Sequence, residues 1–229
     1  MKQIFPILIF LTTTLTIVAQ NRKFPPPNES IKDESLKTFL IQLKEAVQKK
    51  DTAFIYTSLS QNTKNSFGGN DGIKEFKEIW KLKKPKSTFW YYMGRVLSMP
   101  GCVQNNNTET FSLPYIFCIS LKDNEDAFRT AVITEKNVAL KQKPNKTSKT
   151  IYTLSYNVVS FVSNPSGAIS TKGKNEVGDQ KWYQIELLNG KKKIKGWVYY
   201  KYIYSPVGYR VVLAKENGKW LIQTFIAGD

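Results

Sequence analysis

From Ala131 onward the chain is a succession of short β-prone runs separated by turns, which restricts that stretch to a small barrel or sandwich. Ala131-Val132-Ile133, Val138 to Lys141, Ile151 to Leu154 and Val158 to Val162 come first. Trp182 to Leu187 leads to Asn189-Gly190, a strong hairpin signal, and Ile194 to Val198 returns from it. Tyr202-Ile203 closes the set. A second Asn-Gly turn, Glu216-Asn217-Gly218-Lys219, joins Tyr209 to Ala214 with Trp220 to Ile226.

The stretch before residue 100 reads differently. Leu36, Phe39, Leu40, Leu43 and Val47 recur at helical spacing, so they share one face. Asp51 is placed to cap a second short helix carrying Phe54, Ile55 and Leu59. Asp71 is placed to cap a third, with Ile73, Phe76, Ile79 and Trp80 as its apolar face. Phe89 to Leu97 forms another apolar, helical run that Pro100-Gly101 breaks. From Thr110 to Leu121, Phe111, Leu113, Tyr115, Phe117 and Ile119 alternate as in a strand, with Pro114 marking an edge or a bulge.

A lone hairpin is marginal in water, so the tail at 209–226 needs a sheet to join. The strand beginning at Thr110 needs a partner too, and the two are expected to pair. This predicts an α+β N-terminal domain, its small antiparallel sheet completed by the C-terminal hairpin, together with a small all-β barrel, which the resemblance described next makes SH3-like. The boundaries are a signal peptide at 1–19, a linker at 20–30 around Pro25-Pro26-Pro27, a discontinuous domain at 31–127 plus 207–229, and the barrel at 131–203.

Residues 131–203 resemble the bacterial SH3-like (SH3b) family. Ala139, Leu140, Lys141 and Pro144 stand where that family carries an Asn-Val-Arg stretch ahead of a Pro. Trp182-Tyr183, Gly196-Trp197-Val198 and Tyr202-Ile203 stand at its later strands. Ser66-Phe67-Gly68-Gly69, Phe111-Ser112-Leu113-Pro114-Tyr115 and Phe225 to Asp229 resemble exported SH3b-containing proteins of Gram-negative bacteria. The resemblance implies a module binding peptide or peptidoglycan through exposed aromatics. Trp182, Tyr183, Tyr199 and Tyr200 are the groove candidates, and about half of them must face inward in an alternating strand.

Composition narrows the chemistry. The chain holds 34 Lys plus Arg against 18 Asp plus Glu, a formal charge of +16, which favours anionic partners. Lys191, Lys192, Lys193 and Lys195 form a basic hairpin tip, readable as an anion site or as a solvated turn. Histidine is absent, so Ser-His-Asp and Cys-His catalysis and imidazole-based zinc sites are excluded. Asp71, Glu75 and Glu78 lie close together around one helix start, where capping accounts for them better than carboxylate catalysis. The glycines at 68, 69 and 72 lack the spacing of a phosphate-binding loop. No cofactor and no metal are expected.

Met1-Lys2 followed by the uncharged run Ile4 to Ala19 reads as a secretory signal with cleavage near Ala19/Gln20, leaving no integral membrane anchor. The expected location is the periplasm or the exterior. There, Cys102 and Cys118 can form one disulfide or remain two separate thiols. The leading expectation is a non-catalytic envelope protein binding peptide or peptidoglycan. The alternatives are a periplasmic scaffold for another envelope protein and, more remotely, a carboxylate enzyme. Nucleic acid is not an expected partner.

Overall fold

The computed structural model describes residues 21–28, 31–103, 109–123, 125–162, 182–189 and 192–228. The predicted signal segment and its cleavage point lie outside them.

Helix α1 (Glu34–Lys49) starts where the Asp33 carboxylate accepts the backbone N–H groups of Ser35 and Leu36, at 2.7 and 3.0 Å. Leu36, Leu40, Leu43 and Val47 form its buried face. Lys50, in the left-handed region with φ 54°, ends it. Asp51 then caps α2 (Thr52–Thr57) by accepting the Phe54 N–H at 3.0 Å. Leu59 does not extend that helix, as periodicity had suggested. It opens strand β1 (Leu59–Lys64), which has little apolar alternation to announce it and forms by pairing with a distant strand. Helices α3 (Gly72–Trp80) and α4 (Phe89–Leu97) follow.

Strand β2 (Thr110–Leu113) is shorter than the expected run to Leu121. Pro114 has no N–H to donate to a ladder, and a turn of 3₁₀-helix at Tyr115–Cys118 takes over. Seven short strands come next: β3 (Thr130–Ile133), β4 (Val138–Lys141), β5 (Thr150–Leu154), β6 (Val158–Phe161), β7 (Trp182–Asn189), β8 (Lys192–Tyr199) and β9 (Ile203–Tyr204). The tail hairpin is β10 (Arg210–Glu216) and β11 (Lys219–Ile226), turning at Asn217-Gly218 with φ 49° and 78°.

These strands make two sheets. The first is β1-β11-β10-β2, with β1 parallel to β11 and the other pairs antiparallel. β10 lies against β2 from Val211↔Leu113 to Ala214↔Thr110. Helices α1, α3 and α4 cover this sheet through a core that includes Leu43, Phe76, Trp80, Phe89, Met93, Leu213 and Phe225. The second sheet runs β5-β4-β8-β7-β6-β3-β9. Its own core holds Ile133, Leu140, Leu154, Phe161, Ile185 and Val198. A third cluster, with Cys102, Tyr115, Ile116, Val132 and Tyr204, joins the two.

This architecture corrects the expected α+β domain plus SH3-like barrel. The protein is a mixed helix-and-sheet fold on one four-stranded and one seven-stranded sheet. The strands read as a barrel, β3 to β9, form one seven-stranded order with β5 and β9 at its ends. Alternating apolar residues show that a strand has one buried face, and this pattern carries no information on which strand lies beside it.

Cys102 and Cys118 are bridged, with Cα atoms 6.5 Å apart. The bridge ties the chain before β2 to the 3₁₀ turn after it. Residues 22–24, read as linker, lie along the seven-stranded sheet. The Val158 N–H donates to the Arg22 carbonyl at 2.8 Å and the Phe24 N–H to the Tyr156 carbonyl at 2.7 Å. Arg22 pairs with Glu125, and Phe24 stacks on Tyr115 with ring centres 5.4 Å apart.

Candidate functional site

The β7–β8 hairpin sorts its side chains by register. Trp182 faces Tyr199, Gln184 faces Trp197, and Glu186 faces Lys195. Side chains alternate across a strand, so these six share one face, while Ile185, Leu187 and Val198 enter the core on the other. Tyr183 belongs to the core side and packs on Phe161 at 5.4 Å between ring centres. The other three groove candidates stay together. Trp182 and Tyr199 are 5.3 Å apart, Tyr199 and Tyr200 are 4.8 Å apart, and Tyr202 lies 6.3 Å from Tyr199. All four of these rings are half-buried, and Tyr202, like Tyr183, packs against the core of the seven-stranded sheet.

Cations sit against this aromatic run. Lys146, from the loop joining β4 to β5, lies 5.7 Å from the Tyr199 ring centre, and Lys201 lies 5.8 Å from that of Tyr202. Both lysines are exposed. Such contacts are worth about 0.5–1 kcal/mol at exposed sites, enough to bias where the ammonium groups dwell. Arg95 of α4 reaches across from the helical layer. Its Nη2 donates to the carbonyls of Tyr200 and Ile203, at 2.7 and 2.8 Å. Its guanidinium lies 5.0 and 5.2 Å from the ring centres of Tyr200 and Tyr204. Burial, with a hydrogen-bonded Tyr91 beside it, raises the Tyr200 hydroxyl above the ordinary phenol range.

The basic tip is partly neutralised. Lys193 and Lys195 hold the Glu186 carboxylate at 2.9 and 3.5 Å. The hydrogen bond from Lys193 is the main reason that Glu186 titrates below the usual range. Lys192 is exposed, and Lys191 lies outside the described residues.

The glycine-rich loop is filled by the chain itself. Asn70 and Asp71 donate their N–H groups to Glu75 at 3.1 and 2.9 Å, and Asn65 Nδ2 adds a third bond at 3.1 Å. A Cβ on Gly69 would stand 2.1 Å from Glu75 Oε1. Asp71 makes no cap to α3, contrary to expectation. Its carboxylate instead accepts the Asn65 N–H at 3.0 Å. Asp71 and Glu75 therefore fold the loop, and Glu78 stands exposed on α3. No cluster of three or more metal-ligating His, Cys, Asp or Glu residues occurs among the described residues. No helix among them is long and apolar enough to cross a membrane.

Sequence reasoning named Trp197 and Tyr202 only as strand residues and passed over Lys146 and Arg95. The period of two from Tyr199 could have found Trp197. Nothing local could have linked Arg95 to Tyr200, 105 residues away.

No protein-family model matches the chain, and no curated protein sequence does. The chain is similar to a solved NTF-2-like protein of unknown function from Shewanella oneidensis MR-1, at 11% identity and a TM-score of 0.27, covering 86% of this chain and 98% of that one. A likeness of this size carries no argument about fold or activity. Because no family model matches, SH3b included, the SH3b resemblance is corrected, and the peptidoglycan-binding expectation attached to it goes with it. The comparisons likewise lend no support to the predicted signal peptide or to secretion.

Proposed function

We propose that the protein is a non-catalytic binding protein of an oxidising, extracytoplasmic compartment, and that it holds an extended peptide segment on the face bearing Trp182, Tyr199 and Tyr200. The observation that carries this reading is the contiguity of those three half-buried rings at the open end of the β7–β8 hairpin. Aromatic side chains offer large contact area at little entropic cost, and extended peptides are held in this way. The Cys102–Cys118 bridge supports the compartment, because disulfides persist where thiols are not kept reduced.

Selection from a library of displayed peptides on the immobilised full chain tests the reading. Enriched peptides should bind the wild type and lose at least about tenfold in affinity to Trp182→Ala, as truncation of a central aromatic anchor does. Peptides that bind Trp182→Ala equally well would place recognition elsewhere.

A further inference from the structure

The aromatic face has a neighbour that bears on what it holds. Strand β5 is a terminal strand of the seven-stranded sheet, and β4 is its one strand partner among the described residues. Thr150, Ile151 and Thr153 are exposed, with Ile151 at 38%. A terminal strand presents backbone N–H and C=O groups that an added strand can pair with.

Two relationships bring the β4–β5 hairpin to the aromatic run. Lys141 of β4, which is paired with Thr150 of β5, lies opposite Trp197 of β8. The β4–β5 loop then delivers Lys146 to the Tyr199 ring.

Charge on this edge has one sign. From Val138 to Leu154 the hairpin carries Lys141, Lys143, Lys146 and Lys149 and no carboxylate. Lys141 is tied to the Ser148 carbonyl and the Thr150 hydroxyl, each at 3.0 Å. Lys143, Lys146 and Lys149 are exposed, and no described carboxylate pairs with them. Exposed lysines discourage chance edge-to-edge pairing, and they also select for a strand of opposite charge.

We infer that the partner is an acidic peptide, which adds as a strand to the edge of β5 left unpaired among the described residues, while residues beyond its paired segment pass the Lys146 loop to reach Tyr199. This rests on the peptide-binding reading above. A free strand edge favours peptide over other extended polyanions, because only a peptide backbone can continue the ladder. An oligonucleotide could use the rings and the lysines, but not the edge.

The test is fluorescence titration of the full chain with a Glu- and Tyr-containing decapeptide. Its probes are the same peptide with alternate backbone nitrogens methylated, its Gln counterpart, and a single-stranded oligonucleotide. The acidic peptide should bind, added salt should weaken it, and Lys146→Gln with Lys149→Gln should cost about three- to tenfold, the sum of two exposed charge contacts. N-methylation should weaken it as much as removing its charge. Equal binding of the Gln and Glu peptides overturns the acidic assignment and leaves the peptide-binding reading standing. Equal binding of the methylated peptide overturns strand addition, as does an oligonucleotide that binds more tightly than any peptide. Failure of both the Glu and the Gln peptide overturns the inference, and library selection then decides whether the aromatic face binds peptide at all.

Discussion

Arg95 is bound twice to Tyr200: its Nη2 donates to the Tyr200 carbonyl at 2.7 Å, and its guanidinium lies over the Tyr200 ring at 5.0 Å. A helix that packs on the four-stranded sheet thereby positions the aromatic run of the seven-stranded one. Arg95→Ala removes two charge-assisted hydrogen bonds to backbone carbonyls. The expected loss is about 2–4 kcal/mol of stability, read from the denaturant midpoint. Arg95→Lys should recover only part of it, because an ammonium lacks the planar face that covers Tyr200 and Tyr204.

The Cys102–Cys118 bridge closes a short loop around β2, with a sequence separation of 16. Replacing both cysteines by serine should lower stability by about 3 kcal/mol in the chain-entropy account. Thermal unfolding with and without a reductant checks this. An unchanged midpoint would show that the packing of Tyr115 and Ile116 holds the segment without the bridge.

Phe225 is fully buried and touches the rings of Trp80, Phe89 and Tyr209, with ring centres 5.0 to 5.5 Å apart. Phe225→Ala opens a cavity among stiff neighbours that cannot collapse into it. Its expected cost is about 3–5 kcal/mol, and Phe225→Leu should cost less. Denaturant unfolding of the two variants measures the difference.

Alkali should unfold the protein cooperatively. Burial raises Tyr209 to about 12 and lifts Tyr115 and Tyr204 further. The unfolded chain ionises its tyrosines near pH 10, so it releases protons first. The stability these phenols contribute is complete below about pH 10 and is lost as pH rises toward the folded values. A pH titration of tyrosinate absorbance should show these groups ionising together with unfolding. Tyr209→Phe should make the stability fall less steeply with pH.

Short-range chemistry was legible in the sequence. Asp51 caps α2 as expected, and Asn217-Gly218 makes the tail turn with both residues at positive φ. The pairing of that hairpin with residues 110–113 followed from its need for a sheet. What failed depended on distant partners. β1 has almost no apolar alternation and exists through its parallel pairing with β11. The barrel expectation failed because the same alternation is compatible with several strand orders. At the site, the rings from Trp182 to Tyr200 were visible as aromatics in a predicted hairpin. The sorting of Tyr183 inward and Trp197 outward follows from register, and Arg95 and Lys146 arrive through tertiary packing alone.

The most direct measurement is amide hydrogen exchange of the full chain with and without a saturating acidic peptide. Slowed exchange at Thr150–Leu154 and across Trp197–Tyr202, with α1 unchanged, is the predicted result. Peptide binding that leaves β5 exchanging as before, or that protects the helical face instead, would contradict the account.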